Sequence, residues 1–247
     1  MNFPDDFYVI DVGMHDGKDS VYYAKRGFKV IAFEANPKLA SQAVDNFNKH
    51  NLNIEVRNLA ISNHGSSADI PFYLNNKSSQ WSSVEATLGS RGMDFEVIQV
   101  KSCSLFDELE SISKCIHYIK IDIEGMDSVA LEQVLQLSSL PPYLSIENGS
   151  KITIDNLNLR GYNSFKFSNQ KYVKFHHVPR NSRHGNFCHF RFEDHSSGCF
   201  GEDLIGRWLT YDEALRVNEA LWSARRIAPN NLLGESIGWF DLHARRD

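Results

Sequence analysis

Short runs of apolar residues alternate with longer amphipathic segments through the first two thirds of the chain. Apolar runs bounded by turn residues predict buried strands, and the segments between them predict helices. The predicted strands cover residues 8–12, 29–33, 54–61, 69–74, 95–101, 116–123 and 143–146, and the predicted helices cover residues 19–26, 37–50 and 129–137. Strands separated by segments of helical length indicate an α/β fold, with a parallel sheet and helices on both faces.

The pattern changes beyond about residue 175. Five histidines and several glycines fall within residues 176–206, where one strand is predicted at 187–192. Residues 211–225 then place Ala214, Val217 and Leu221 at helical spacing, which predicts an amphipathic helix. We interpret residues 176–247 as a C-terminal extension or lid that packs on the sheet domain of residues 1–175.

Composition narrows the classes of function. The 247 residues are 42% hydrophobic and 23% charged, as in one globular domain with an appendage. The net charge of −5 provides no overall basic field that would attract nucleic acid or anionic lipid. No apolar run approaches the ~18 residues of a membrane span, and the N-terminus has no basic signal region. The four cysteines lack CxxC spacing, so we expect free thiols in a cytoplasmic protein.

The strand–helix–strand unit at residues 8–37 contains the first candidate site. Asp11 lies near the end of its first strand, Gly13 permits a tight turn, and Gly17 lets the next helix begin close to a ligand. Glu34 ends the second strand, where a carboxylate can accept both hydroxyls of a ribose. The loop lacks both GxGxxG and a P-loop lysine, which favours an adenosine-type cofactor over a phosphate cradle. A structural glycine turn is the alternative.

A second candidate site follows the strand within YIKIDIEG, residues 118–125. Asp122 and Glu124 point to the same side of the chain because strand side chains alternate. Two acids held together are costly unless they bind a substrate hydroxyl, a cationic ligand or a metal. For Glu124, capping of the next helix is the alternative.

Four motifs, DVGMHDGKDS, AFEANP, NLAIS and YIKIDIEG, together resemble the FkbM family of S-adenosylmethionine-dependent methyltransferases over residues 7–167. The resemblance implies a Rossmann-like class I methyltransferase fold with a mostly parallel seven-stranded sheet and S-adenosylmethionine at its carboxyl edge. The implied cofactor contacts are Asp11, Gly13 and Gly17 for the methionine end, Glu34 for the ribose, and Ala60 and Ile61 for the adenine. The chain departs from the common family pattern DVGANxG at Met14 and His15.

The family acts mainly as O-methyltransferases on sugars, polyketides and other secondary metabolites, so the resemblance implies a small-molecule or carbohydrate hydroxyl as acceptor. Methyl transfer requires alignment of the reacting atoms and a base for the hydroxyl proton. The candidate bases are Asp122, Glu124, His15 and Glu147. Asp122 would lie beside the methionine amino group or the substrate. His15 has a suitable ordinary pKa of about 6.5, although a lone histidine in a turn is often a hydrogen-bonding scaffold.

Other functions are compatible with the same pocket. An NAD-dependent oxidoreductase would use it, although the glycine loop lacks GxGxxG and the IKIDIEG strand has no obvious hydride-transfer partner such as a YxxxK pair. A non-catalytic nucleotide-binding or scaffold protein would retain it. The histidines beyond residue 175 lack zinc-site spacing, so we expect no required metal, while Mg²⁺ at Asp122 and a neighbouring acid stays open. Trp81, in the polar stretch 75–91, would stack on a sugar, shield the cofactor or anchor the loop. Nothing in the sequence indicates an oligomeric state.

Overall fold

The computed structural model describes residues 7–63, 68–227 and 238–246. Its strands are β1 Tyr8–Val12, β2 Lys29–Phe33, β3 Ile54–Arg57, β4 Ala60–Ile61, β5 Asp69–Asn75, β6 Phe95–Cys103, β7 Ile116–Ile121, β8 Tyr143–Glu147, β9 Tyr162–Asn169 and β10 Phe240–Arg246. Its α-helices are α1 Lys18–Lys25, α2 Pro37–Lys49, α3 Ala86–Gly89, α4 Leu105–Leu109, α5 Asp127–Val134, α6 Lys151–Leu159 and α7 Tyr211–Ile227. Within these ranges, no helix is both long enough and apolar enough to cross a membrane.

Seven strands form one sheet in the order β3-β2-β1-β7-β8-β10-β9, and β4, β6 and β5 form a separate sheet. The pairs β1–β2, β1–β7 and β2–β3 are parallel, whereas β10 is antiparallel to both β8 and β9. This order is that of a doubly wound α/β sheet with one antiparallel strand inserted near an edge. The predicted Rossmann-like fold with a mostly parallel seven-stranded sheet is therefore confirmed.

Burial explains the nearly continuous apolar runs of β1 and β7. β1 lies between β2 and β7, and four of its five residues are buried. All six residues of β7 are buried. A parallel strand that is buried on both faces has no position for a solvated side chain, so its sequence does not alternate. Lys120 is a charged exception within β7, and it lies opposite Asp11 of β1 in the register of the pair.

The prediction of one strand over residues 54–61 is wrong, because the structure has two strands there. β3 pairs with β2 in the large sheet, whereas β4 pairs with β6 in the three-stranded sheet. The chain bends between them, where the N–H of Leu59 donates to the carbonyl of Arg57 at 2.9 Å. The side chain of Asn58 donates to the carbonyl of Glu34 at 2.7 Å, which stabilises the bend. An apolar run does not reveal such a change of sheet.

The chain forms two compact units, one ending at Pro141 and the other beginning at Pro142. The boundary expected at residue 175 lies inside the second unit. There, β10 pairs with β8 on one side and with β9 on the other. The last strand of the chain is therefore an inner strand of this unit, and the division into residues 1–175 and 176–247 stays a proposal.

The second unit also shows where the sequence pattern misleads. The prediction of a strand at residues 187–192 is wrong. A 3₁₀ turn ends at Phe175, and residues 176–200 contain neither helix nor strand. The apolar side chains there pack locally, as Phe192 does, buried and edge-on to Phe190. The helix predicted at residues 211–225 is confirmed as α7. Strand β9 was not predicted, because polar residues interrupt the apolar residues of its sequence, YNSFKFSN.

His243 is buried in the middle of β10, between Ser145 of β8 and Lys166 of β9. Neither nitrogen of its ring has a hydrogen-bond partner among the described residues. Burial, with smaller contributions from the positive charges of Lys166 and His176, lowers the pKa of His243 to about 3. The imidazole is therefore neutral in the folded protein at every pH above about 3.

We predict that the free energy of unfolding decreases as the pH falls from about 6.5 toward 3. In this window the unfolded chain binds a proton at His243 that the folded chain excludes, so stability rises with pH, by up to about 1.4 kcal/mol per unit from this group. The variant His243→Leu removes the contribution of this group to the pH dependence of stability. Urea unfolding at several pH values should show a flatter pH dependence for this variant than for the parent protein.

An exposed histidine provides the matched control. His50 is solvent-exposed at the end of α2, and His50→Gln should retain the pH dependence of the parent. Parallel stability curves for His243→Leu and the parent would contradict a neutral buried imidazole.

Candidate active site

The glycine loop between β1 and α1 packs directly on the chain that follows β7. Gly13 has a φ of 87°, and a Cβ atom built on it would lie 1.7 Å from the carbonyl oxygen of Asp122. The N–H groups of Gly13 and Met14 both donate to the carbonyl of Phe33 at 3.0 Å. A side chain at position 13 would therefore collide with the backbone of Asp122, which is a more immediate constraint than access for a ligand.

Gly17 is required by the packing of two helices. Its φ is 78°, and an added Cβ would lie 2.4 Å from the ring of Phe47, a buried residue of α2. The structure thus gives Gly17 a role in bringing α1 close to α2. Its expected contact with the methionine end of a cofactor stays a proposal.

Asp11 lies fully buried beneath the glycine loop. Its carboxylate accepts a hydrogen bond from the hydroxyl of Ser20 at 2.6 Å and lies 3.2 Å from the ammonium of Lys120. Because the carboxylate is enclosed by protein groups, Asp11 connects β1 to α1 and β7. Any effect of Asp11 on a cofactor would pass through the loop that it supports.

Glu34 lies at the carboxyl end of β2, and only 8% of its surface is exposed. One carboxylate oxygen accepts the N–H of His15 and the other accepts the N–H of Asn36, each at 2.8 Å. Burial raises the pKa of Glu34 to about 7, and the two amide hydrogen bonds oppose this rise. A carboxylate has about four acceptor positions, so two amide donors leave lone pairs for further donors.

Ala60 and Ile61, expected to line the adenine, form β4 and are both buried. Ala60 packs in an apolar cluster with Ile70, Phe72 and Val100 of the three-stranded sheet. These contacts place Ala60 in a small hydrophobic core. A role of Ala60 and Ile61 at the adenine stays a proposal.

Asp122 and Glu124 lie in the loop after β7. The side chain of Asp122 is 38% exposed and lies 3.5 Å from the ammonium of Lys120. Burial raises the pKa of Glu124 to about 6; the charge of Arg91 opposes the rise, and Asp122 and Asp127 add to it. At neutral pH Glu124 is thus mostly ionised and basic enough to accept a proton.

Asp127 holds this loop in place from the first turn of α5. Its two carboxylate oxygens accept the N–H groups of Ile123 and Gly125, at 3.0 and 3.2 Å. Between those amides, Glu124 has a φ of 38°, an uncommon conformation for a residue other than glycine. Burial, together with the charge of Asp122, raises the pKa of Asp127 to about 6.

The covering segment, residues 78–93, connects the two loops. Its Ser79 hydroxyl lies 2.8 Å from Nε2 of His15 in the glycine loop. Ser83 donates to the carbonyl of Glu124 at 2.6 Å, and the guanidinium of Arg91 lies 3.4 Å from the carboxylate of Glu124. Trp81 is 39% exposed, so it is not a buried anchor of this segment. The segment therefore forms a wall that contacts both candidate loops.

Glu147, the fourth candidate base, ends β8 in the second unit. The next residue, Asn148, has a φ of 50°, and its side chain accepts a hydrogen bond from Arg225 of α7 at 2.9 Å. The chain after β8 is thus held in place by a contact within the second unit. A catalytic role for Glu147 stays a proposal.

The candidate residues of the first unit form two groups. Glu34, and Asp11 through Lys120, contact the glycine loop that contains Gly13, His15 and Gly17, while Asp122 and Glu124 lie in the loop after β7, and Gly13 packs against Asp122. Ala60 and Ile61 lie apart from both groups, in β4.

Sequence reasoning missed Lys120, Asp127, Ser79 and Arg91. Lys120 alone had a clear signal, since it interrupts an apolar strand two positions before Asp122 and so shares its face. Within the described ranges, no group of three or more histidine, cysteine, aspartate or glutamate side chains could hold a metal ion.

Comparisons with solved structures give distant likenesses. The METTL16 methyltransferase domain is 15% identical, with 65% of this chain and 53% of that chain covered and a TM-score of 0.39, so the match spans about half of that chain. Precorrin-6y C5,15-methyltransferase from Geobacter metallireducens GS-15 is 10% identical, with 98% and 80% covered and a TM-score of 0.41. At such identities and TM-scores, these likenesses assign no residue and no substrate.

No match was found among curated proteins. A family model described as the methyltransferase FkbM domain matches residues 11–185. The match covers more than half of the chain and includes the glycine loop, Glu34, the covering segment and the loop after β7. The chain therefore belongs to the FkbM methyltransferase family.

Proposed function

We propose that the protein transfers a methyl group from S-adenosylmethionine to a hydroxyl of a sugar or another secondary metabolite. Membership of the FkbM methyltransferase family supports the reaction class. The environment of Glu34 supports the choice of S-adenosylmethionine as the cofactor. The choice of a hydroxyl acceptor follows the family resemblance and the two acids after β7.

The carboxylate of Glu34 is the observation on which the cofactor assignment depends. It lies at the carboxyl edge of the parallel strands, where ligands bind in open α/β sheets. Backbone amides of His15 and Asn36 fix its orientation and leave acceptor positions for the two hydroxyls of a ribose. The residues present thus fit an adenosine-bearing cofactor.

S-adenosylmethionine would supply an electrophilic methyl group at this edge. Glu124 is the best-placed base, because its pKa of about 6 allows it to be ionised and still accept the hydroxyl proton at neutral pH. Asp122, paired with Lys120 and partly exposed, would bind a positively charged group or a hydroxyl at the same edge. His15 would act as a scaffold, since its ring is hydrogen-bonded to Ser79 and its N–H orients Glu34.

Two measurements test this function. Isothermal titration with S-adenosylmethionine should show binding, whereas NAD should not bind. Incubation with a panel of hydroxylated sugars and polyketides should then yield S-adenosylhomocysteine and a methyl ether. Binding without turnover on any acceptor would favour a non-catalytic nucleotide-binding protein, and binding of NAD alone would favour an oxidoreductase.

We predict that Glu34→Gln weakens binding of S-adenosylhomocysteine by about 1–3 kcal/mol, as expected for loss of a charged hydrogen-bond acceptor. The ionised carboxylate is the better acceptor for ribose hydroxyls, so the parent should bind up to about tenfold more weakly at pH 6 than at pH 8, given a pKa of about 7. Titrations at both pH values should show less pH dependence for the variant.

Glu96→Gln is the matched control, because Glu96 is an exposed glutamate of the same unit. Its affinity and pH dependence should equal those of the parent. Equal affinities for Glu34→Gln and the parent at pH 8 would remove Glu34 from the ribose site.

We predict that Glu124→Gln lowers kcat with a productive acceptor by about 100-fold or more, the usual contribution of a general base. In the parent at saturating S-adenosylmethionine, kcat/KM for the acceptor should rise with pH through about 6, since only ionised Glu124 accepts the proton. This rise should be absent in the variant. Steady-state rates across pH 5–8 provide the measurement.

The variant Asp122→Asn distinguishes the role of Asp122 from that of Glu124. It should lower turnover while retaining the rise of kcat/KM near pH 6, because Glu124 is still present. A Glu124→Gln variant with the parent's pH profile would exclude Glu124 as the base and return the assignment to Asp122, His15 or Glu147.

A further inference from the structure

Lys120 lies where the glycine loop and the loop after β7 meet. Its side chain is only 4% exposed. The ammonium lies 3.2 Å from the carboxylate of Asp11, donates to the carbonyl of Gly13 at 3.2 Å, and lies 3.5 Å from the carboxylate of Asp122. One buried charge thus contacts β1, the turn that follows it, and the first residue after β7.

These contacts differ in kind. The Asp11 contact compensates a buried negative charge, which would be costly alone. The contacts with Gly13 and Asp122 give the buried ammonium further acceptors, although neither the neutral carbonyl nor the partly exposed Asp122 requires a counter-charge. These contacts also fix the position of two groups that face the candidate cofactor edge.

The surrounding packing makes this position sensitive. Gly13 lies so close to Asp122 that no side chain fits between them. The N–H of Asp122 also donates to the carbonyl of Val12 at 2.9 Å. A change in the lysine contacts would therefore displace the glycine loop and Asp122 together, because their backbones are in direct contact.

We propose that Lys120 is a positioning residue of the cofactor site: its ammonium holds the carbonyl of Gly13 and the carboxylate of Asp122, and so fixes the glycine loop against the end of β7. The inference rests on the proposed function, since the site that it positions is the proposed S-adenosylmethionine site. Lys120 itself contacts neither cofactor nor acceptor in this assignment.

The test compares Asp11→Asn with Asp11→Asn/Lys120→Met. Both variants lack the buried carboxylate charge, so neither leaves an unpaired acid in the core, and they differ only in the ammonium. Thermal unfolding measures their stability, and isothermal titration with S-adenosylhomocysteine measures their affinity. The amide resonances of Gly13 and Gly17 in ¹H–¹⁵N spectra report the conformation of the loop.

We expect the double variant to remain folded and to bind S-adenosylhomocysteine at least tenfold more weakly than Asp11→Asn does. The resonances of Gly13 and Gly17 should shift between the two variants. Lys166→Met is the matched control, because Lys166 is also buried and donates to carbonyls, those of Gly201 and Leu204 in the second unit. It should lower stability without changing affinity.

Each other outcome overturns a different statement. Equal affinities of the two Asp11 variants would show that Lys120 only compensates charge. Where the double variant does not fold, Asp11→Asn/Lys120→Gln takes its place with the same expected affinities. Failure of both to fold would make Lys120 a folding determinant and refute the positioning role. Absence of S-adenosylhomocysteine binding by the parent would refute the proposed function itself.

Discussion

The fully buried carboxylate of Asp11 is the constraint on which the first unit depends. An isolated buried charge is strongly unfavourable, so its partners must come from the surrounding elements. Ser20 of α1 and Lys120 of β7 are those partners, and they join β1 to the helix that follows it and to a strand more than 100 residues away. This one carboxylate therefore constrains the position of α1, the register of β7 against β1, and the turn at Gly13.

Burial also sets the chemistry at the carboxyl edge. Glu34 and Glu124 both have raised pKa values because each is partly or largely removed from water. They differ in their partners: two backbone amides hold Glu34, whereas a side-chain cation, Arg91, approaches Glu124. The amide-bound acid is suited to a fixed hydrogen-bonding role. The acid beside a displaceable side chain is suited to gaining and losing a proton.

The sequence predicted the parallel strands of the large sheet well, because buried parallel strands such as β1 and β7 are visible as apolar runs. It also located Glu34 and Asp122, since polar residues at the ends of such runs are conspicuous. It failed at β4, where a bend held by Asn58 moves the chain to another sheet, and at β10, whose partners are far away in sequence. Short polar contacts and long-range strand pairing produce no hydrophobic periodicity, so they cannot be predicted from the pattern of apolar residues.

The acceptor is harder to infer from the sequence than the cofactor for the same physical reason. The groups proposed to bind the cofactor are at strand ends, where burial restricts the sequence. The covering segment instead meets both loops through serine hydroxyls and one arginine, all tolerated at any surface position. Asn75 orders the start of this region by donating to the carbonyls of Gly89 and Arg91. The wall beside the acids is therefore preorganised by contacts that leave little signature in the sequence.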